Sequence, residues 1–186
     1  MHDLGDLAYR DRVDVLLLQE PWYYQDRTCG LPGRLRPFVS IGGKAAVVVI
    51  GEDIEAVLVC KSEWGVCVWL DAGCGGVYVA SIYMRLRRPV QGALDFMTEI
   101  LGVSRQDRFL ITIDANACSD LWFSKPSGRK RDNRERAEEL AYWIEENAMD
   151  ILNVPTDAYT FSGAHGESDI DVTLSKGWKV ERSRGY

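Results

Sequence analysis

The chain has 186 residues, 46% of them hydrophobic and 27% charged, with a formal net charge of −6. That length suits one domain spanning residues 1–186 with a sizeable core, and the composition is that of an ordinary soluble globular protein. The net charge argues against non-specific coating of nucleic acid; the apolar runs fall short of the ~18 residues of a membrane span; and the acidic start Met1-His-Asp-Leu-Gly-Asp6 lacks the basic and apolar regions of a secretory signal.

In chain order, the spacing of Leu4, Leu7 and Ala8 predicts a short helix over residues 3–12. Residues 13–19 form a near-continuous apolar run, which suits a strand covered on both faces, and Pro21 ends it. Residues 22–37 read as a loop rich in glycine, proline and aromatics. Strands follow at 45–50, 56–60, 66–71 and 77–83, punctuated by Gly42-Gly43, Gly51-Glu-Asp53, Glu63-Trp-Gly65 and Gly73-Cys-Gly-Gly76, and together they read as an antiparallel meander. A helix is predicted over 89–101 with Leu94, Met97, Ile100 and Leu101 on one face, then a buried strand over 108–114. After a loop at 115–132, the stripe of Ala137, Leu140, Ala141, Ile144 and Ala148 predicts a helix over 133–148. Short strands close the chain at 159–161, 170–174 and from 178. This order of elements suggests two sheets packed face to face with helices outside. The cysteines Cys29, Cys60, Cys67, Cys74 and Cys118 are odd in number and form no CxxC pair, so they read as free thiols of a reducing compartment.

Two of the predicted core strands end in acids, at Gln19-Glu20 and Ile113-Asp114. If those strands are neighbours, both carboxylates face one cleft, where a hard cation such as magnesium would take oxygen ligands; an acid at a strand end also simply prefers solvent. Asn116 follows Asp114 by two residues, on the same side of an extended chain. There the carboxylate can deprotonate water while the amide donates to a phosphate oxygen. Tyr83 closes a strand just before Arg85, Arg87 and Arg88, where its hydroxyl either reaches a phosphate or packs. Asp169 and Asp171 fall on one face of one strand, which is costly without an opposite charge nearby. A second basic cluster, residues 128–136, contains Arg129, Lys130 and Arg131. Both clusters fit a phosphate-binding rim beside an acidic metal site, and equally a solvated face.

The blocks Leu18-Gln-Glu-Pro21, Ser81-Ile-Tyr83, Ile113-Asp-Ala-Asn-Ala117, Pro155-Thr-Asp-Ala-Tyr-Thr-Phe161 and Ser168-Asp-Ile-Asp-Val-Thr-Leu-Ser175 occur in this order along nearly the whole chain. Each alone is weak; in order they make the chain resemble the endonuclease/exonuclease/phosphatase superfamily, which includes DNase I and apurinic endonucleases. The finer resemblance is to endonuclease domains of LINE-type (non-LTR) retrotransposons. Residues 114–122 look like their Asp-x-Asn-Ala segment with its following Ser and Leu-Trp pair, and residues 136–153 like their next helix and Leu-Asn strand.

The resemblance implies an α/β (α+β) fold, a DNase I-like four-layered sandwich of two mixed sheets flanked by helices. It implies a magnesium-dependent DNA endonuclease, with manganese able to replace magnesium. Glu20 would be the principal metal ligand and Asp114 the activator of the attacking water. Asn116 and Tyr83 would hold the scissile phosphate, and Asp171 would orient a catalytic histidine. Ser119, Thr160, Arg85, Arg87, Arg88, Arg129, Lys130 and Arg131 would contact DNA. The products would be a 3′-hydroxyl, usable as a primer, and a 5′-phosphate. A reverse transcriptase in the parent polyprotein is the implied partner, and the nucleus the implied place of action.

Two family features have no counterpart in the sequence: an asparagine-bearing strand before the first helix, and a Ser-Asp-His block after the last strands. The only histidines are His2 and His165. The expectation is therefore a copy lacking terminal strands, with reduced activity. The alternative is a catalytically inactive DNA-binding remnant. A phosphoinositide or sphingolipid phosphodiesterase of the same superfamily is disfavoured by the Ser119…Leu121-Trp122 feature and the small size.

Overall fold

The computed structural model describes residues 8–21, 23–24, 27–28, 35–104, 107–124, 131–155, 159–163 and 166–178. Two sheets carry the fold. One has three strands, β1 (Val15–Gln19), β5 (Ala45–Val49) and β4 (Arg36–Val39), in the order β1-β5-β4 and antiparallel throughout. The other has six, in the order β10 (Asp150–Ile151), β13 (Asp171–Lys176), β9 (Arg108–Asp114), β8 (Val77–Tyr83), β7 (Gly65–Asp71) and β6 (Glu55–Lys61). This larger sheet is mixed, because β8 and β9 run parallel while its other pairs are antiparallel. A parallel pair needs a crossover, and helix α1 (Gln91–Gly102) supplies it. Two small hairpins, β2 (Tyr23–Tyr24) with β3 (Arg27–Thr28) and β11 (Phe161–Gly163) with β12 (Gly166–Ser168), complete the described strands.

Alternation along the strands sorts the core into two layers. Val47 and Val49 of β5 meet Val66, Val68, Leu70 and Val79 of the larger sheet between the two sheets. On the other face of the larger sheet, Ile82, Ile111 and Ile113 pack against Met97 and Ile100 of α1 and Leu140 and Ile144 of helix α2 (Arg131–Glu146). Of the predicted first helix the described part is residues 8–12, of which 8–10 are helical and 11–12 form a turn, and Ala8 is buried.

The predicted meander is corrected at its first strand. Strands β6, β7 and β8 form it, whereas β5 lies in the opposite sheet. Every residue of β5 is buried, and a strand with both faces covered sits at the centre of a sheet rather than at the edge of a meander. Strand β4 falls partly within the predicted loop at 22–37; it is an edge strand, the place where a sheet tolerates the proline at Pro37.

Gly65 shows how closely the larger sheet is built near its functional end. A Cβ there would lie 2.5 Å from the Ser81 carbonyl oxygen and 2.6 Å from Ile82 Cδ1. Backbone cannot yield as a flexible side chain can, so Gly65→Ala is expected to destabilise the fold by about 1–3 kcal/mol. Thermal denaturation should register a fall of roughly 2–4 °C per kcal/mol, and an unchanged melting temperature would contradict this packing.

Candidate active site

The C-terminal ends of β1, β8 and β9 and the N-terminal end of β13 share one end of the sandwich. Register places Tyr83, Asp114 and Asp171 side by side: Tyr83 is opposite Asp114 in the parallel pair, and Asp171 is opposite Asp114 in the antiparallel one. Glu20 arrives from the other sheet, directly after β1. The two acid-bearing strands are thus not neighbours within a sheet, as the sequence reading allowed, but face each other across the sandwich. Gln19 holds them there: its amide donates to Ser81 Oγ at 3.0 Å and to Thr112 Oγ1 at 2.9 Å, while Ser81 Oγ donates to the Leu18 carbonyl at 2.7 Å. A polar cluster with its hydrogen bonds made fixes one docking position between sheets, which apolar packing alone does less sharply.

Glu20 adopts a left-handed backbone (φ 48°), uncommon for a residue with a Cβ and often found at functional positions. Its N–H donates to the Lys44 carbonyl at 2.9 Å, and its carboxylate pairs with Lys44 Nζ at 3.2 Å. Lys44 Nζ also lies 6.0 Å from the centre of the Tyr83 ring. Tyr83 is buried. Burial, its hydrogen bond to Glu20 and the charges of Glu20 and Asp114 push the phenol up to about 12, against an opposing hydrogen bond from Asn116. It is therefore a neutral O–H donor at neutral pH.

Asp114 is the most perturbed carboxyl of the group. Burial first, then the charges of Asp171 and Glu20, push it up to about 7, while the Asn116 backbone N–H and the Arg136 guanidinium favour its ionised form. Asn116 is placed differently from the expectation of an extended chain. The strand ends at Asp114, and Asn116 turns into the left-handed region (φ 48°), a conformation asparagine tolerates better than most residues. Its N–H then donates to Asp114 Oδ1 at 3.1 Å, and its side-chain amide to the Met84 carbonyl at 3.0 Å. The acid and the amide are joined by a tight turn rather than by strand periodicity.

The paired aspartates are likewise corrected. Strand β13 begins at Asp171, and Asp169 precedes it, buried, with Oδ1 accepting from the Thr160 N–H at 3.2 Å. Burial raises the Asp171 carboxyl, its bond with the Thr160 hydroxyl opposes this, and the Asp169 charge adds to it. The Thr160 hydroxyl also accepts from the backbone N–H groups of Ile170 at 3.1 Å and Asp171 at 3.4 Å. The Thr160 N–H at Asp169 and the Thr160 hydroxyl at Asp171 accommodate these two carboxylates.

Among the expected DNA contacts, Ser119 caps a 3-10 turn (Asp120–Trp122), its Oγ accepting from the Leu121 N–H at 3.2 Å. Arg85 is held by Glu63 at 3.1 Å and lies 5.9 Å from the Trp64 ring; Arg87 and Arg88 are exposed. Arg129, Lys130, the side chain of Arg131, His2 and His165 lie outside the described residues. Gln19, Lys44, Ser81 and Arg136 had no role assigned from the sequence, although Gln19 and Ser81 stand in the ordered blocks and Arg136 in the second basic cluster. Arg136 carried a signal, since it stands four residues before Leu140 and one before Ala137, beside the apolar stripe of α2. A charge beside a buried stripe needs a partner.

The donor atoms fit magnesium or manganese. Glu20, Asp114, Asn116 and Tyr83 offer hard oxygens, and Glu20 is half exposed. Among the described residues, no three His, Cys, Asp or Glu side chains converge into a metal cage. Magnesium bound through one or two carboxylates, with water and phosphate completing the shell, needs no such cage.

Comparison with known proteins accords with this architecture. The fold is the DNase I-like α+β sandwich of endonuclease/exonuclease/phosphatase proteins. It superposes on the endonuclease domain of TRAS1, a telomere-specific non-LTR retrotransposon, with a TM-score of 0.76 at 23% identity, covering 92% of this chain and 77% of that one. Truncated TDP2 from Caenorhabditis elegans superposes with a TM-score of 0.55 at 12% identity, covering 94% of this chain and 75% of that one. The model of the endonuclease-reverse transcriptase family matches residues 77–184. The chain belongs to that family. It is 38% identical, over 154 residues, to the Pol polyprotein of type-1 retrotransposable element R1 of Bradysia coprophila, covering 78% of this chain and 15% of that protein. It is 31% identical, over 176 residues, to the putative 115 kDa protein of element R1DM of Drosophila melanogaster, covering 92% of this chain and 17% of that protein. The chain thus spans less than a fifth of the length of either relative.

Proposed function

We propose that this domain is a magnesium-dependent DNA endonuclease whose product carries a 3′-hydroxyl able to prime reverse transcription. The observation that carries this reading is the meeting of Glu20, Tyr83, Asp114 and Asn116 at one end of the sandwich, with Asp114 pushed up to about 7. A carboxylate in that range is matched to accept a proton from water near neutral pH. Asp114 takes that proton as the water oxygen bonds to phosphorus. The bond from phosphorus to the 3′-oxygen breaks, the 3′-oxygen takes a proton from solvent water, and the phosphate stays on the 5′ side. The Asn116 amide, which keeps one N–H beyond its bond to the Met84 carbonyl, and the neutral Tyr83 hydroxyl donate to the phosphate oxygens as charge builds on them. Magnesium or manganese, when bound at Glu20, supplies positive charge to the same oxygens. Arg87 and Arg88 are the exposed cations of the Tyr83 loop and suit a DNA backbone; Arg129, Lys130 and Arg131 extend the basic rim in sequence. A reverse transcriptase in the same polyprotein and action in the nucleus complete the proposal.

The test is nicking of supercoiled plasmid by the purified chain with magnesium, beside Glu20→Ala and Asp114→Ala. Nicking that needs the metal and is lost in both variants supports the endonuclease. DNA binding without nicking, indifferent to magnesium, would replace it with the inactive DNA-binding alternative.

A further inference from the structure

We infer that Arg136 is a positioning residue for the reaction: from α2 it fixes the backbone segments that carry Tyr83 and Asn116. The inference rests on the endonuclease reading for what those two residues do, and on geometry for how they are held. The Arg136 guanidinium donates to the carbonyls of Arg88 at 2.8 Å, Met84 at 3.2 Å and Ala115 at 3.4 Å. Met84 directly follows Tyr83, Ala115 separates Asp114 from Asn116, and Arg88 lies in the loop between β8 and α1. One side chain therefore ties the roots of both loops to a helix.

The Met84 peptide is the centre of this arrangement. Its N–H donates to the Asp114 carbonyl at 2.9 Å, continuing the parallel ladder past the end of β8. Its carbonyl accepts from both Arg136 and the Asn116 amide. Removing Arg136 leaves Asn116 as the side chain holding that carbonyl and frees the Ala115 and Arg88 carbonyls. A planar fork spreads its N–H donors over separate carbonyls at fixed angles; a lysine keeps the charge, with its donors on one atom, and loses the fork. The guanidinium is half buried, and its Nε finds no hydrogen-bond partner among the described residues. Burying a charge to hold carbonyls is costly for stability alone, whereas holding a reacting geometry repays it. The nearby positive charge also favours the ionised Asp114.

The experiment compares Arg136→Ala and Arg136→Lys with the native chain in plasmid nicking. Both variants should lose kcat by about tenfold to a hundredfold, the cost of displacing reacting groups by about an ångström, with KM held within about twofold. Added guanidinium ion should restore part of the Arg136→Ala activity and none of the Asp114→Ala activity. Full activity in Arg136→Lys would overturn the positioning role in favour of charge alone, and a loss confined to KM would overturn it in favour of DNA contact. If the native chain does not nick at all, the endonuclease reading fails and the positioning is read separately from the Asn116 side-chain amide in a ¹⁵N spectrum. A shift of that resonance in Arg136→Ala, reversed by guanidinium, supports it; an unmoved resonance overturns it.

Discussion

Asp114→Asn is expected to lower kcat for nicking by about a thousandfold, the middle of the range for a general base, while raising the melting temperature at about pH 8. The two effects have one cause. Asp114 sits among groups that disfavour its charge: it is largely buried, and Asp171 and Glu20 are close enough to repel it. Its carboxyl is pushed from the ordinary aspartate range up to about 7, so the folded state holds the proton more tightly than the unfolded chain. The group's stabilising contribution is present below the unfolded value and is lost as pH rises toward the folded value of about 7. Above that, the folded protein carries the full cost of an ionised carboxylate. An asparagine keeps the shape and an oxygen that can accept the Asn116 N–H, and it carries no charge. The gain should be on the order of 1–3 kcal/mol at about pH 8 and close to nil at about pH 4. Denaturation curves at the two pH values, set beside nicking rates, decide the matter. An asparagine variant that is both inactive and less stable at the higher pH would make Asp114 a structural residue.

The parts of this molecule legible from sequence were those fixed by local pattern. The apolar run at Leu16, Leu17 and Leu18, the alternation in β9 and the stripe from Ala137 to Ile144 each specify an element whatever surrounds it. The partner of each strand was harder to read. Strand β5 has the same local pattern as the meander strands, and only the need to cover both its faces places it beside β1 and β4. The acids Glu20 and Asp114 stood out because each ends a core strand, so a shared cleft followed if those strands were neighbours. Their separation did not: it depends on Gln19 reaching Ser81 and Thr112 across the sandwich, a contact between residues more than sixty positions apart. Turn conformation was the other blind spot. Asn116 was expected along an extended strand, and its left-handed turn is what gives Asp114 a backbone donor. Lys44 lies in no motif, and Arg136 stood out only as one charge of a basic cluster; each matters through a tertiary neighbour, Glu20 in one case and the Met84 carbonyl in the other.

The pH profile should separate two roles for Asp171. A base must be ionised to work, so kcat/KM in the native chain is expected to fall about tenfold per pH unit on the acid side of the Asp114 titration. That titration lies near the value of about 7, to which burial, Asp171 and Glu20 raise it and from which Asn116 and Arg136 hold it back. In Asp171→Asn one repelling charge is gone while burial and Glu20 remain. The acid limb should therefore move to lower pH without reaching the ordinary aspartate range, and the variant should outpace the native chain at about pH 5.5, where most native Asp114 is protonated. A divalent cation at Glu20 acts in the same direction, so both profiles must be taken at one metal concentration. The role implied by family resemblance, orientation of a catalytic histidine, predicts otherwise. Removing the carboxylate that orients a histidine lowers the plateau by about 10⁴-fold where that role has been isolated, and it leaves the limb in place. A displaced limb with a plateau within about tenfold of native makes Asp171 an electrostatic neighbour of the base. A collapsed plateau with an unmoved limb assigns it to a histidine instead.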